Sequence, residues 1–590
     1  MFKKLSVTFV VVLCVFLLCV GLDDLYTSSS SSPGSNIKIP AESYDKFDLI
    51  ILNGTIIDGT GAPRFQADIG VKNGKIKEIG QLKKEKAHKI IDASGLIVAP
   101  GFIESHSNDR PNEVVENPYA LSMIHQGVTS LIMGEQGFAP SPYDPNAPFA
   151  NLEEGFQLLM EKGIAVNYGT YIDQADARMV VLGHQAGEPT AEQLEQMKKI
   201  VADAMKSGAF GLSSALVYPP GAYSSTETVI ELAKVAAACG GTYKTHVRGE
   251  DHTILEEGRG ISEAIAIGKA ANIPVIINHM KAAGVKAYEL GIMGQIAAAV
   301  NEARAAGQEV SAQMYPYDYG IIYLNNFFPP WRLEGGKEVY IANLQDTVIR
   351  AEIRKEIYEE VETPYFFNFL MVTTGGNWAK TKLTSVVVEE NEQYVGKNFY
   401  EIAQMMGYDI VGNPKDAVEA LFDLTISEYS DPRTSDTTGG LQPTVIVPAY
   451  YSEDDLRLGL QQPWVGISCD GFSQKPESPK IHPRCFGSYA KVLGYFSRDE
   501  GLFTLEEAVR KMTGLIAGQL KLENRGKLAK GYAADITIFD AGTVNDLATY
   551  GSPNVYPAGI KYVIVNGRPV IYAGQLTGSR PGQILRLKDK

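Results

Sequence analysis

Short β-branched runs broken by turn dipeptides open the folded part of the chain. Leu49-Ile50-Ile51-Leu52 leads into Asn53-Gly54, Thr55-Ile56-Ile57 into Asp58-Gly59, and Ile69-Gly70-Val71-Lys72 into Asn73-Gly74. Asn-Gly and Asp-Gly accept the positive φ of a tight turn, so this spacing predicts hairpins. The far end repeats the idiom: Ile536-Thr537-Ile538-Phe539 is followed by Tyr562-Val563-Ile564-Val565, which runs into Asn566-Gly567. The two flanks, residues 44–100 and 522–590, are expected to combine into one small β-sandwich.

Between them, helical and strand periods alternate, as in a βα-repeating domain. Val229, Leu232, Ala233 and Ala236 share a helical face, and an apolar strand from Gly240 to His246 follows. The alternation recurs, with helix over 261–272 and strand over 273–279, then helix over 293–307 and strand over 309–317. Thr504 with Glu507 reads as a capping box that opens a helix running toward Leu522. The fold class is therefore α/β, a (β/α)8 TIM barrel over 101–521. That span exceeds the about 250 residues of a plain barrel, so an insertion is expected where the rhythm is lost, about 321–431. A doubly wound open sheet is the competing architecture, but no glycine-rich phosphate loop follows a strand to support it.

Composition adds a compartment and removes a partner. Lys3 and Lys4 precede an apolar run from Leu5 to Leu22, which makes residues 1–27 a signal peptide or membrane anchor. Export to the periplasm or the extracellular space is expected, with a possible membrane attachment through that segment alone. The serine-rich stretch within 28–43 reads as a flexible linker. A net charge of −15 and the lack of any basic run argue against nucleic acid as a partner. Only Cys239, Cys469 and Cys485 lie beyond the leader, too few for a disulfide scaffold.

Four apolar strands end in residues able to bind metal or move protons. These are Phe102 to His106, Tyr243 to His246, Val275 to His279 and Val465 to Asp470. A single strand-end histidine is more often structural than a ligand. Here three of eight histidines share that setting and an aspartate joins them, as imidazole and carboxylate ligation of a divalent metal requires. His88, His125, His184, His252 and His482 lack the setting and read as structural or solvated.

The opening from Asp48 to Gly61, Pro100-Gly101-Phe102-Ile103 leading to His106, Gln126-Gly127-Val128-Thr129, Gly211-Leu212-Ser213-Ser214 and His482-Pro483-Arg484 resemble the amidohydrolase superfamily. Within it they resemble the D-aminoacylases, or N-acyl-D-amino-acid deacylases, in family order from about Tyr44 onward. The resemblance implies a barrel holding one tightly bound zinc ion, Zn2+, and sometimes a second metal, beside a sandwich built from both termini. Matched motif by motif, it implies His246 and His279 as zinc ligands and His106 as a ligand at the second position. Asp470 becomes both a metal neighbour and the general base. Zinc lowers the pKa of bound water toward about 7, and a carboxylate takes the proton and returns it to the departing amine. Tyr218, Lys281 and Arg484 match positions that hold the substrate's carboxylate and nearby groups, and Tyr317 is a further candidate for the pocket wall. An arginine fork suits a carboxylate. The implied partner is a small N-acylated substrate with a carboxylate, and the implied reaction is hydrolysis of its amide, with N-acyl-D-amino acids foremost.

Each candidate has a plainer reading. A strand-end aspartate can cap a turn, and Arg484 and Lys281 can form structural ion pairs.

Two positions depart from the family pattern. His106-Ser107-Asn108 stands where the family has His-x-His, and Gly134-Glu135-Gln136-Gly137 where it has Gly-Asn-Cys-Gly. Asn108 and Gln136 thus place neutral amides at metal-ligand positions, where they bind zinc less well than imidazole or thiolate. Glu135 or Asp109 could stand in by a local shift of the backbone. Three readings follow: an active one-metal deacylase, a hydrolase of another linear or cyclic amide as in dihydroorotases and hydantoinases, or an inactive binding protein. No lysine closes the strand ending Gly211-Leu212-Ser213-Ser214, so a carboxylated-lysine bridge of the hydantoinase kind has no donor there.

Overall fold

The computed structural model describes residues 46–109, 111–133, 151–359, 367–435, 442–448 and 450–588. The expected leader 1–27, the linker 28–43, and Glu135 and Gln136 lie outside these residues. Among the described residues no helix is long and apolar enough to cross a membrane.

The two flanks join in one hydrogen-bonded sheet of nine strands. Ile97–Pro100 from the first flank pairs antiparallel with Ile536–Phe539 from the second, with Val98 opposite Ile538. Ile51, Ile69, Val71, Ile536, Ile538 and Ile564 then share a single apolar cluster, so each flank supplies the other's missing core. Asn73-Gly74 and Asn566-Gly567 form the expected tight turns, all four residues at positive φ. Asn53-Gly54 does not. Phe47–Ile56 runs through it as one strand, with Asn53 left-handed at a break in register. A Cβ on Gly54 would fall 2.5 Å from Val98 Cγ2, so the glycine lets two strands approach closely, and the dipeptide marks a bulge.

The middle of the chain supplies two parallel sheets. Phe102–Ser107, Val128–Met133 and Asn167–Gly169 form a three-stranded one. Ile172–Asp173, Gly211–Ala215, Thr242–His246, Val275–Ile277, Val310–Met314 and Val465–Ile467 form a six-stranded one in that spatial order. Almost every residue of these strands is buried, as expected when helices cover one face and side chains fill the other. Thr226–Ala238, Gly260–Ala271 and Ile292–Ala305 are the intervening helices, and Val229, Leu232, Ala233 and Ala236 are buried on the face read from sequence. Gly169 and Ile172 are near neighbours in the chain, while Ser107 bridges Gly471 and Asn108 N–H donates to the Gly471 carbonyl at 3.0 Å.

Gly320–Tyr323, Thr444–Val447 and Lys382–Ser385 form a separate three-stranded antiparallel sheet. Thr444–Val447 is its central strand, pairing with both of the others. The helix after Thr504 is shorter than expected. Leu505–Met512 stops at Thr513, whose φ of −136° and ψ of −86° are not helical, and Gly514–Gln519 follows as a separate helix. Gly514 presses on the Gly59 carbonyl, where a Cβ would lie 2.2 Å away. Thr504 caps Glu507 N–H, but the Glu507 carboxylate pairs with Arg510 at 2.6 Å instead of closing a box.

Candidate metal centre

The parallel register sets the site. His246 is the last residue of its strand, opposite Ala215, and Asn278 N–H donates to the Thr245 carbonyl at 2.9 Å, which brings His279 beside His246. Ser468 N–H donates to the Met314 carbonyl at 3.1 Å, and the next turn carries Asp470 over to the end of the His106 strand. His279 and Asp470 both sit at positive φ, 29° and 50°, a conformation a non-glycine residue adopts only at a cost.

Two donor clusters share His279. The first is His246, Glu250 and His279; the second is His106, His279 and Asp470; within each cluster the candidate atoms lie within 4.8 Å of one another. In the first, His279 Nε2 lies 3.0 Å from His246 Nδ1, and Lys281 Nζ lies 2.6 Å from His279 Nδ1. An ammonium only donates, so His279 Nδ1 offers a lone pair and its Nε2 carries the proton toward His246. Lys281 Nζ also donates to Glu250 Oε1 at 2.6 Å. Burial pushes the Glu250 carboxyl up, but Lys281 and His246 outweigh it and hold the group well below the usual carboxylate range.

In the second cluster Asp470 Oδ1 faces His106 Nε2 at 3.6 Å and accepts from Asn108 Nδ2 at 3.2 Å. Asp470 Oδ2 accepts from Arg484 Nη1 at 2.7 Å. The His106 and His279 rings stack at 5.1 Å, and Tyr218 meets the His246 ring edge-on at 5.0 Å. His106, His246, His279, Asp470, Asn108, Lys281, Arg484 and Tyr218 are thus brought together as the sequence implied. Tyr317 is not. Its hydroxyl donates to Asp546 Oδ2 at 2.6 Å, and Tyr315 instead lies beneath the Arg484 guanidinium, with the ring centroid 4.8 Å from Cζ. Asp109 does not replace Asn108. Its carboxylate accepts from Ser473 N–H, Ser473 Oγ and Ser107 Oγ, which occupies both oxygens.

Residues beneath the site hold it in place. The Glu104 carboxylate accepts from His106 N–H through one oxygen, and from Cys469 N–H and Tyr489 OH through the other, at 2.6, 2.6 and 3.0 Å. It therefore ties together the two strands that carry His106 and Asp470. His482 Nδ1 accepts from Arg484 N–H at 3.0 Å and Nε2 faces the Tyr319 carbonyl at 3.2 Å, which defines a neutral imidazole protonated at Nε2. Burial and the adjacent Arg484 push the His482 pKa well down.

A D-aminoacylase from Alcaligenes xylosoxydans xylosoxydans is 32% identical over 556 residues, covering 91% of this chain and 97% of the relative. The chain belongs to the D-aminoacylase family. The amidohydrolase family model matches residues 482–571, which include the Arg484 motif, and a model of the urease alpha-subunit N-terminal domain matches residues 32–101. A crystal structure of D-aminoacylase described as defining a novel subset of amidohydrolases superimposes with a TM-score of 0.73 at 30% identity, covering 92% of this chain and all of that one. The N-acyl-D-glutamate deacylase of Bordetella bronchiseptica, solved with zinc and a phosphonate mimic of the tetrahedral intermediate, superimposes with the same TM-score at 28% identity and the same coverage. The family's mixed α/β fold is thus the fold of this chain.

Glu250 was not singled out from sequence, although a signal existed: it lies four residues past a strand-end histidine, on the same βα loop. Glu104 was hidden by its place in mid-strand, where a carboxylate is found only if it is fully hydrogen-bonded.

Proposed function

We propose that this chain is a metal-dependent hydrolase that cleaves the amide of N-acyl-D-amino acids. The convergence of His106, His246, His279 and Asp470 at the ends of parallel strands, with Arg484 on the aspartate, carries this reading. The donors suit a divalent metal: three imidazoles and buried carboxylates meet in a space whose polar atoms apolar packing could not satisfy. Zinc is the ion such a set favours, at the His246 and His279 pair first, with His106 and Asp470 able to serve a second ion. Bound there, the metal supplies an acidified water and a polarised scissile carbonyl.

The chain's own residues do the rest. Asp470 is placed to take a proton from the attacking water and to pass it to the leaving amine. Arg484 holds that carboxylate through Nη1, while its Nε is buried with no hydrogen-bond partner in the described residues, a donor left for an anionic substrate end. Lys281 adds positive charge beside Glu250 and His279, and Tyr218 walls the His246 side.

The wider architecture follows the same reading. With Asn167–Gly169 and Ile172–Asp173 taken as one interrupted strand, the nine strands of the two parallel sheets make the eight of a (β/α)8 barrel, with the Ser107–Gly471 bridge at its other seam. The flanking nine-stranded sheet folds over its shared core as the small sandwich. Lys3, Lys4 and the apolar run behind them make the chain an exported protein.

The deciding experiment is metal analysis of the purified folded body followed by assay of N-acyl-D- and N-acyl-L-amino acids with Zn2+ present. Release of free D-amino acid is expected. A metal-loaded protein that hydrolyses neither series would sink the proposal.

A further inference from the structure

We propose that Glu250 is a direct ligand of the tightly held metal, completing a two-histidine, one-carboxylate set with His246 and His279 that requires no sulfur. The inference rests on the metal-dependent reading above and concerns how this chain makes up for glutamine at position 136.

Three observations point the same way. Donors on a tetrahedral zinc about 2.0–2.1 Å from the ion are about 3.3 Å apart. Glu250 Oε1 is 3.2 Å from His279 Nδ1 and 3.5 Å from His246 Nε2, the spacing of edges in such a tetrahedron. Second, Glu250 is 1% exposed and its Oε2 is buried with no hydrogen-bond partner among the described residues, a costly state for a carboxylate oxygen unless a cation takes it. Third, the donors already hold a cation. The Lys281 ammonium lies 2.6 Å from both Glu250 Oε1 and His279 Nδ1.

The chemistry of the exchange is coherent. A thiolate and a carboxylate each bring one negative charge, so a metal held by two neutral imidazoles and Glu250 keeps the net charge of a Cys-His-His site. Oxygen replaces sulfur, which makes the site harder and leaves more positive charge on the metal. Three protein ligands also leave an open position for water or substrate, as catalytic zinc sites need. The plain alternative makes Glu250 only the counter-ion of Lys281.

The two roles separate in a set of variants. Apo-protein is titrated with Zn2+ for wild type, Glu250→Gln, Lys281→Met and the double variant E250Q/K281M, in which no buried charge is left unpaired. The ligand role predicts that E250Q and the double variant bind zinc more than 100-fold more weakly, beyond the about 10–100-fold that loss of an outer-sphere partner causes. Lys281→Met should keep wild-type affinity or exceed it. A double variant within about threefold of wild type would overturn the proposal, because a counter-ion role is cancelled when both partners are removed. Zinc K-edge absorption of the wild type needs no variant: a shell of nitrogen and oxygen supports the assignment and sulfur in the shell overturns it. A wild type that takes up no zinc would overturn both this inference and the metal-dependent reading, whereas normal zinc uptake by the double variant would overturn this inference alone.

Discussion

Arg484 Nη1 donates to Asp470 Oδ2 at 2.7 Å, and both residues are almost fully buried. The pair fixes the carboxylate so that its other oxygen faces His106. Asp470→Asn keeps the shape and removes the ability to accept a proton. Turnover should fall by about 10²–10⁴, the range for loss of a general base, with the zinc at the His246 and His279 pair retained on elemental analysis. Unaltered kcat would exclude Asp470 as the base.

Arg484→Lys tests the other half of the pair. A lysine keeps the charge and loses the fork, along with the buried Nε donor. The kcat/KM for N-acyl-D-amino acids should drop by about 10–100-fold, the loss of a charged hydrogen bond of about 1.5–3 kcal/mol. An N-acylated amine without a carboxylate should show little difference between variant and wild type. Equal losses on both substrates would mean that Arg484 acts through Asp470 and does not touch the substrate.

Glu104→Gln probes the support beneath the site. Two backbone N–H groups and the Tyr489 hydroxyl converge on this carboxylate, and an amide turns one acceptor into a donor aimed at donors. Unfolding in denaturant should show a loss of about 1–3 kcal/mol, with kcat lowered more than KM because His106 and Asp470 lose their common tie. Full stability with full activity would remove Glu104 from this role.

His125 gives a pH signature away from the chemistry. It stacks on Tyr556 at 4.0 Å, and burial lowers its pKa to about 4 from the ordinary 6.5. Between those values the unfolded chain binds the extra proton and the folded chain does not, so stability rises with pH across the window and is lost as pH falls through it. His125→Gln has no such proton to bind. The stability of wild type relative to His125→Gln, measured by denaturant titration, should therefore decline from pH 6.5 to pH 4, and a constant difference would contradict the assignment.

Much of the fold was legible because it follows period and turn chemistry. The helical face Val229, Leu232, Ala233 and Ala236 is buried as its spacing required, and strand ends delivered three histidines and Asp470 to one place. What was missed depends on tertiary contact. Asn53-Gly54 has the sequence of a turn, but Val98 packs against it and makes it a bulge. Thr513 and Gly514 look helical until Gly59 is brought against them from the far end of the chain. Tyr315 and Tyr317 are two residues apart in a stretch read from sequence as strand, where alternation would make them face alike, but the strand ends at Met314. Only the packing of Asp546 against one and Arg484 against the other tells them apart.

The pairing of Ile97–Pro100 with Ile536–Phe539 sets an order of events for biosynthesis. More than four hundred residues must leave the ribosome after Pro100 before its partner strand exists. The final segment matters as well, because Leu585 N–H reaches the Tyr168 carbonyl at 2.7 Å and Leu587 N–H the Gly208 carbonyl at 3.0 Å. A nascent chain of this protein thus carries an unsatisfied sheet edge until Ile536–Phe539 has emerged. Termination before Ile536 leaves that edge open to the wrong partners.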